Sequence, residues 1–460
     1  MKINNSPWID QLRKDRPLKK LSKDESTDVA IIGGGIAGIS TAFFILKHTT
    51  KKIILIEKSK LAYGATGHNA GQVVSYFEKP FHVMAEEFGV QLAGEAQKSI
   101  ELSWEFLEEM YTEAGLTLNF SRFTGYDGFS TFEQVEESLK NNLARREAGL
   151  LIHQIDIAKE SEFSTEMLSK YDGLYTLKEK KEILLCLETE DASFIAMLSE
   201  PKGVMNSALF TEEVSEYLLK IYPERFTIYE HTLISKVVLK EDHVLLAGPA
   251  NAVITAEKVI LCTNGFENIE ILNQGGLAID TRFHHNVNGV VARMTGYLEK
   301  KNKSPTAISY YVDAPEGFAD MDQAYFYLTR RPFEHESDEK HNLICVGGPQ
   351  HAIADREEYL FEFDYPEVVQ KEVDDFVKTV YDPEPNTKID YKFTWHGLMG
   401  YTPNGVRLIG EEPLNPVLLY NLGCNGVGIL PSIYGGSRIA RIIAGEKLAP
   451  SIFDPKSVSK

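Results

Sequence analysis

Six residues, Gly33-Gly34-Gly35-Ile36-Ala37-Gly38, follow the apolar run Asp28–Ile32 and match G-x-G-x-x-G. A helical pattern continues to about Lys47, and "KKIILIE" then reads as a second strand ending at Glu57, with Lys58 behind it. The interval from Gly38 to Glu57 is close to the ~20 residues expected between such a turn and its ribose-binding acid. Each part has a physical role. Gly33 permits the tight turn, Gly35 admits a pyrophosphate to the backbone, and Gly38 lets helix and strand pack closely. The phosphates then rest on a helix N-terminus, where free amides and the dipole favour negative charge. Glu57 accepts from ribose hydroxyls and repels a 2′-phosphate, which argues against NADP. The pattern predicts dinucleotide binding and leaves NAD and FAD open.

A second glycine cluster lies near the other end. Gly423, Gly426 and Gly428 allow sharp turns that aim several amides at one place, and a helix follows. Such a nest suits an edge that becomes negative on reduction, as the N1/C2=O edge of a flavin does.

Composition bounds the rest. The chain has 460 residues, room for two or three domains, and a formal charge of −19 that disfavours nucleic acid as a partner. Cys186, Cys262, Cys345 and Cys424 are widely spaced in apolar runs. They read as buried free thiols of a reducing compartment, so a cytoplasmic location is expected. The first twenty residues lack a secretory pattern. Val29–Leu46 is uncharged, but four glycines divide it into strand, turn and helix, so no integral membrane segment is expected. No metal site is expected: His284–His285 and His335–His341 lack recognised ligand spacing.

The elements that must position these motifs are legible in outline. "GEAQKSIELSWEFLEEMYTEAG" and "TFEQVEESLKNNLARREAG" have helical periodicity. The stretch from "FTIYEH" to "VILCT" reads as several short strands, and "AYFYLTRRPF" with "NLICVGG" as a strand pair.

Between them lies "LAYGATGHNAGQVV" (Leu61–Val74), which resembles the G-A-S-G-R-N-G-G-Q segment of the D-amino-acid-oxidase-like family of FAD-dependent amine and amino-acid oxidoreductases. "ITAEKVILCTNGF", "WHGLMGYTPNGVRLIG" and "NLGCNGVGILPSIYGGSRIARIIAGE" resemble later family motifs in order, and "SPWIDQL" is similar to the arm of γ-glutamylputrescine-oxidase-like members. The resemblance covers about residues 6–446. It implies an α/β fold: a Rossmann-like FAD-binding domain (residues 25–85, 195–280 and 390–450) with a discontinuous substrate domain on an antiparallel sheet (86–194 and 281–389). An arm, 1–24, and a tail, 451–460, flank them.

The resemblance further implies FAD contacts from Gly33, Gly35, Ile36, Ala37, Gly38, Glu57 and Lys58. It extends them to Gly64, Ala65, Thr66, His68, Asn69, Ala70, Gly71 and Gln72 in the loop. Thr263, Asn264, Gly265, Gly400, Asn425, Gly426, Val427, Gly428 and Ile429 complete the set. His68 falls where dimethylglycine-dehydrogenase-like members attach FAD through histidine and where other members carry arginine. A noncovalent contact is the expectation, with covalent attachment the alternative. The implied activity is oxidation of a C–N bond of an amine or amino acid by hydride transfer to flavin N5, with oxygen or an electron-transfer acceptor as partner. Tyr327 stands where family members often carry a carboxylate-binding arginine, and Met399 near another such position. Both departures favour an amine over an α-amino acid. Tyr325, Tyr327, Trp395, His396 and Tyr401 are the substrate-lining candidates, while Arg330 and Arg331 read as solvated strand-end residues. Two other functions stay open on sequence alone. One is an NAD-dependent dehydrogenase, which leaves Asn421–Glu446 without a role. The other is a non-catalytic FAD-binding regulatory or assembly flavoprotein.

Overall fold

The computed structural model describes residues 4–116, 118, 120–163, 169–265, 269–279, 287–300, 302–312, 325–333, 341–353, 361, 367–381 and 389–455. His284, His285, His335 and the Tyr325 side chain lie outside them.

β1 (Glu25–Ile32) runs parallel between β2 (Ile53–Ile56) and β11 (Val253–Leu261), and β8 (Phe226–Tyr229) and β19 (Leu418–Leu422) extend this layer outward. Burial on both faces explains why the strands read as unbroken apolar runs. On one face Val29, Ile31, Leu55, Ile260 and Leu419 pack under helices. On the other, Ala30, Ile32, Ile56 and Leu261 meet Val237, Leu239, Val244 and Leu246. These last come from β9 (Lys236–Leu239) and β10 (Val244–Ala247), which pair with each other, β10 also pairing with the first half of β11. β12 (Glu270–Asn273) and β18 (Leu408–Glu411) complete nine strands.

The covering helices are α2 (Ile36–His48), α4 (Val90–Ala114), α7 (Ser207–Ile221) and α9 (Ile429–Ile443). α9 crosses α2 closely because Gly436 faces it: a Cβ there would stand 2.7 Å from the Thr41 nitrogen. Val29–Leu46 is β1, turn and α2 as read, and among the described residues no helix is long and apolar enough to cross a membrane.

The second sheet has ten strands in the order β17 (Phe393–Tyr401), β13 (Asn288–Lys300), β16 (His341–Ile353), β15 (Tyr325–Pro332), β14 (Thr306–Tyr311), β4 (Ser121–Phe129), β7 (Ala196–Val204), β5 (Gln154–Ala158) and β6 (Thr176–Lys178), with β3 (Gln72–Val74) also along β7. It is antiparallel apart from the β14–β4 and β5–β6 pairs. The expected strand pair is present, β15 running against β16 with Arg331 opposite Leu343. α3 (Phe81–Phe88) follows β3, and α5 (Phe132–Glu147) starts with a capping box in which Thr131 and Gln134 satisfy each other's backbone amides. α6 (Lys180–Cys186) precedes β7, and α8 (Glu367–Phe376) packs on the strands through Val369, Val373 and Phe376.

Candidate cofactor and substrate site

The β1–α2 turn is forced by contact. Gly33 has φ +115°, and a Cβ on it would lie 2.5 Å from the Cys262 carbonyl oxygen. A Cβ on Gly38 would stand 1.9 Å from the Gly33 carbonyl oxygen, so only glycine lets α2 descend onto β1. The N-cap of α2 is Gly35, which has no side chain to close the helix end. Its first amide, Ile36 N, instead donates to Thr66 Oγ1 at 3.0 Å, bringing the "GATGHNAG" loop onto the helix N-terminus.

Glu57 reaches the same place. Its Oε2 accepts from Gly34 N at 2.8 Å and its Oε1 from Ser59 N at 2.8 Å. Burial raises its pKa, opposed by these two amides and by Lys58. Each oxygen keeps a second lone pair, sufficient for vicinal ribose hydroxyls.

The small-residue loop is held by an asparagine. Asn69 Nδ2 donates to Ala65 O (3.1 Å), Thr66 O (2.7 Å) and Ser207 Oγ (2.8 Å), while its Oδ1 accepts from Gly71 N (2.7 Å). Its carbonyl oxygen accepts from two indoles, Trp8 Nε1 at 2.6 Å and Trp395 Nε1 at 3.2 Å. His68 is buried against Phe361, with ring centroids 4.9 Å apart and nearly perpendicular planes. Its Nδ1 is 2.9 Å from Gly64 O, an atom that only accepts, so Nδ1 carries the proton and Nε2 the lone pair. Nε2 has no hydrogen-bond partner among the described residues. Burial pulls the pKa down to about 4, against the Gly64 hydrogen bond and with a smaller push from His396, so the ring is neutral at physiological pH.

The C-terminal nest lies at the end of β19. Asn425 takes φ +46° and Gly426 φ +75°, Asn425 N donates to Gly400 O at 2.9 Å, and Asn425 Oδ1 accepts from Thr402 N at 2.7 Å. Asn264, in the left-handed region after β11, accepts from Cys424 N at 3.0 Å through Oδ1. The end of β11, β17 and the nest are therefore one unit. α9 starts at Ile429 on an N-cap, Gly428, that supplies no side-chain hydrogen bond.

Of the substrate-lining candidates, Tyr327 and Tyr401 meet. Both lie near Glu78, a residue the motifs did not single out, in the link between β3 and α3. Tyr401 donates to Glu78 Oε1 at 3.1 Å. Tyr76 and Tyr311 are electrostatic neighbours of the same carboxylate. A Cβ on Gly426 would stand 1.5 Å from Glu78 Oε2, so this group sits directly on the nest. Nothing in the linear string "SYFEKP" marks the acid; only folding brings it to Gly426, 348 positions away.

Trp395 and His396 go elsewhere. Trp395 is fully buried, edge-on to Trp8 at 6.4 Å, and secures the loop; His396 is buried with its amide donating to Asn4 Oδ1. The reading of Arg330 and Arg331 as solvated is corrected: both are buried, at 2% and 5% exposure. Arg330 is enclosed because Glu188 takes both its terminal nitrogens, at 2.7 and 2.6 Å, while Arg331 bonds Gln11 and stacks over Trp8. Long-range partners override the tendency of strand-end arginines to stay in water. All four cysteines are free, and burial pushes the Cys262 and Cys345 thiols up to about 12. Among the described residues no group of three or more His, Cys, Asp or Glu could hold a metal ion.

A dinucleotide fits this arrangement. The α2 and α9 N-termini both begin on glycines that supply no side-chain cap, Glu57 is bound beside the first of them, and Gly33 and Gly38 let strand and helix close up. Residues 28–442 match the family model described as DAO, FAD-dependent oxidoreductase. The chain is 30% identical over 89 residues to γ-glutamylputrescine oxidoreductase of Escherichia coli (strain K12), covering 19% of this chain and 21% of that one. It is 35% identical over 96 residues to mitochondrial dimethylglycine dehydrogenase of Homo sapiens, covering 21% and 10%. The matches thus span about a fifth or less of these relatives' lengths. Across almost the whole chain the fold is similar to the crystal structure of glycine oxidase from Geobacillus kaustophilus, with TM-score 0.65, 17% identity and coverage of 95% and 100%.

Proposed function

Because the chain belongs to the DAO family of FAD-dependent oxidoreductases, we propose that it oxidises a carbon–nitrogen bond of an amine or amino acid, giving an imine that water hydrolyses. The observation that carries this reading is the seating of the Glu78, Tyr327 and Tyr401 group on the Gly426 nest. FAD, when bound, supplies the two-electron acceptor. Thr66 and the remaining amides of the α2 N-terminus would hold the pyrophosphate, and Glu57 the ribose. The amides at the N-terminus of α9, which no N-cap side chain covers, would receive the flavin edge that gains negative charge. Tyr327 and Tyr401 orient the substrate over that edge and exclude water from it.

The cofactor part comprises residues 25–85, 195–280 and 390–450, and the rest of the second sheet roofs the substrate. His68 makes a noncovalent contact through the Nε2 lone pair; acid precipitation then releases all the flavin, and flavin retained in the pellet would identify a covalent bond instead. Buried thiols at Cys262 and Cys345 support a cytoplasmic setting. The deciding assay is anaerobic bleaching of the purified flavoprotein by a panel of amines, N-methyl amino acids and D-amino acids. Oxygen is then added and peroxide assayed, to tell oxidase from dehydrogenase. Flavin that no member of the panel reduces would sink the proposal and favour a non-catalytic flavoprotein.

A further inference from the structure

We propose that Glu78 is a substrate-binding residue that recognises an ammonium group, so that the site selects cationic amines whose reacting carbon bears no carboxylate. This deepens the function proposed above and rests on it for the identity of the reacting bond.

The argument starts from charge balance. Glu78 Oε1 receives one hydrogen bond, from Tyr401 at 3.1 Å, and Oε2 lies against the Gly426 backbone. Among the described residues no Lys, Arg or His forms an ion pair with it. The cations that could have done so are committed: Lys79 to Glu87 and the Asn404 carbonyl, Lys202 to Asp127, Arg407 to Asn421 and Gly423. Arg330 is taken by Glu188. Removing a carboxylate from water without a cation is costly, and burial pushes the Glu78 carboxyl up to about 7, with the Tyr401 hydrogen bond opposing. Yet the side chain is only half-buried by surface, as are those of Tyr76, Tyr311, Tyr327 and Tyr401. Groups hemmed in by protein but still presenting surface line a recess rather than fill a core.

Asp127 and Glu200, which also neighbour Tyr76 and Tyr311, share Lys202, whereas Glu78 has no cation among the described residues. A recess walled by tyrosines with such a carboxylate is the chemistry that holds an alkylammonium: a charge-assisted hydrogen bond to the acid and cation–π attraction to the rings. The same recess repels a substrate carboxylate. Tyr327 stands where an arginine would have reversed that preference, and Gly347 provides room for its ring, since a Cβ there would lie 2.2 Å from it.

The test uses FAD-loaded full-length protein and two readouts. The first is kcat/KM, from anaerobic flavin reduction, for primary and secondary amines and for the same amines carrying an α-carboxylate. The second is binding of 2-phenylpropan-2-ylammonium, which keeps three N–H donors but has no hydrogen on the carbon bearing nitrogen and so cannot be oxidised to an imine, followed by its perturbation of the flavin spectrum. Wild-type protein is expected to prefer the uncarboxylated amines and to bind the probe. Glu78→Gln, nearly isosteric, is expected to weaken both by roughly 10- to 100-fold, the usual worth of a hydrogen bond to a charged group, with flavin content unchanged. Glu78→Asp is expected to recover part of the loss. Glu78→Gln protein that binds the probe within twofold of wild type, or wild type that favours the carboxylated partners, would overturn the assignment. If no compound reduces the flavin, the reading of the reaction fails, and probe binding still decides the role of Glu78.

Discussion

Arg330→Met separates stability from substrate recognition. Arg330 donates to both Glu188 oxygens, to Tyr381 Oη at 2.8 Å and, through Nε, to Ser304 O at 2.8 Å. Its side chain is 2% exposed and that of Glu188 23%. Removing one partner of a buried ion pair costs ~3–5 kcal/mol, because the other charge is left uncompensated. Here the lower end applies. Glu188 is partly hydrated and keeps Lys303 at 3.3 Å, and methionine fills much of the vacated volume. A loss of about 3 kcal/mol corresponds to a fall in apparent Tm of roughly 3 °C for a chain this large.

The loss carries a pH signature. Burial alone would raise the Glu188 pKa, but the hydrogen bonds and charge of Arg330 outweigh it, and the net shift is downward. A depressed carboxylate pKa contributes stability that is present above its unfolded value, about 4.3, and lost as pH falls through the folded value. The gap in Tm between wild type and Arg330→Met should therefore be full at pH 7 and shrink below about pH 4. Scanning calorimetry across that range measures it. A Tm change under 1 °C, or a gap indifferent to acid, would refute the reasoning. The second readout is selectivity: the fork is saturated by protein, so the ratio of kcat/KM between carboxylated and uncarboxylated amines should not move. Selective loss of carboxylated substrates would show that Arg330 grips them.

Gly38→Ala places a Cβ 1.9 Å from the Gly33 carbonyl oxygen, so α2 must rise from β1 and shift its N-terminus and the Thr66 contact away from the phosphate position; FAD affinity by fluorescence titration is expected to fall at least ~10-fold, with destabilisation on the order of 1–3 kcal/mol, and unchanged affinity would disprove the contact argument. With Cys262 and Cys345 buried and their thiols pushed up to about 12, native protein at pH 8 should present at most Cys186 and Cys424 to a thiol-reactive disulfide, all four reacting only in denaturant; rapid native reaction of all four would contradict the packing.

The parts of the site that the sequence reveals are those where chemistry is enforced by neighbours in the chain. Gly33, Gly38 and Glu57 meet within one βαβ turn, so their spacing carries the geometry. The DAO-family fold and FAD followed from that turn together with the loop and nest motifs. Contacts across the chain were not legible. Arg330 looks like a surface residue until Glu188, 142 positions earlier, is folded beneath it. Trp395 looks like a lining aromatic until Trp8 occupies its edge. Glu78 has no motif, and its significance lies in Gly426 and Tyr401, far along the chain.

Asn69 explains how a loop of such small residues keeps one shape. Glycine and alanine contribute little packing of their own and are costly to order. The loop is instead fixed through its backbone: the Asn69 amide ties Ala65, Thr66 and Ser207, and its carbonyl binds one indole from the N-terminal arm and one from β17. The tryptophans thus act at a distance from the side chains they serve. Ser6 Oγ adds a bond to the Gly67 carbonyl, and a Cβ on Gly67 would collide with Ile9. The arm and β17 together close the loop from behind, so its front is free of side-chain bulk where Thr66 meets the α2 amide. His68 is the one large residue in this frame, and the frame fixes its tautomer. With Nδ1–H turned to Gly64, the uncommitted Nε2 lone pair is what the loop presents, and that makes the acid-release assay a direct reading of what His68 does.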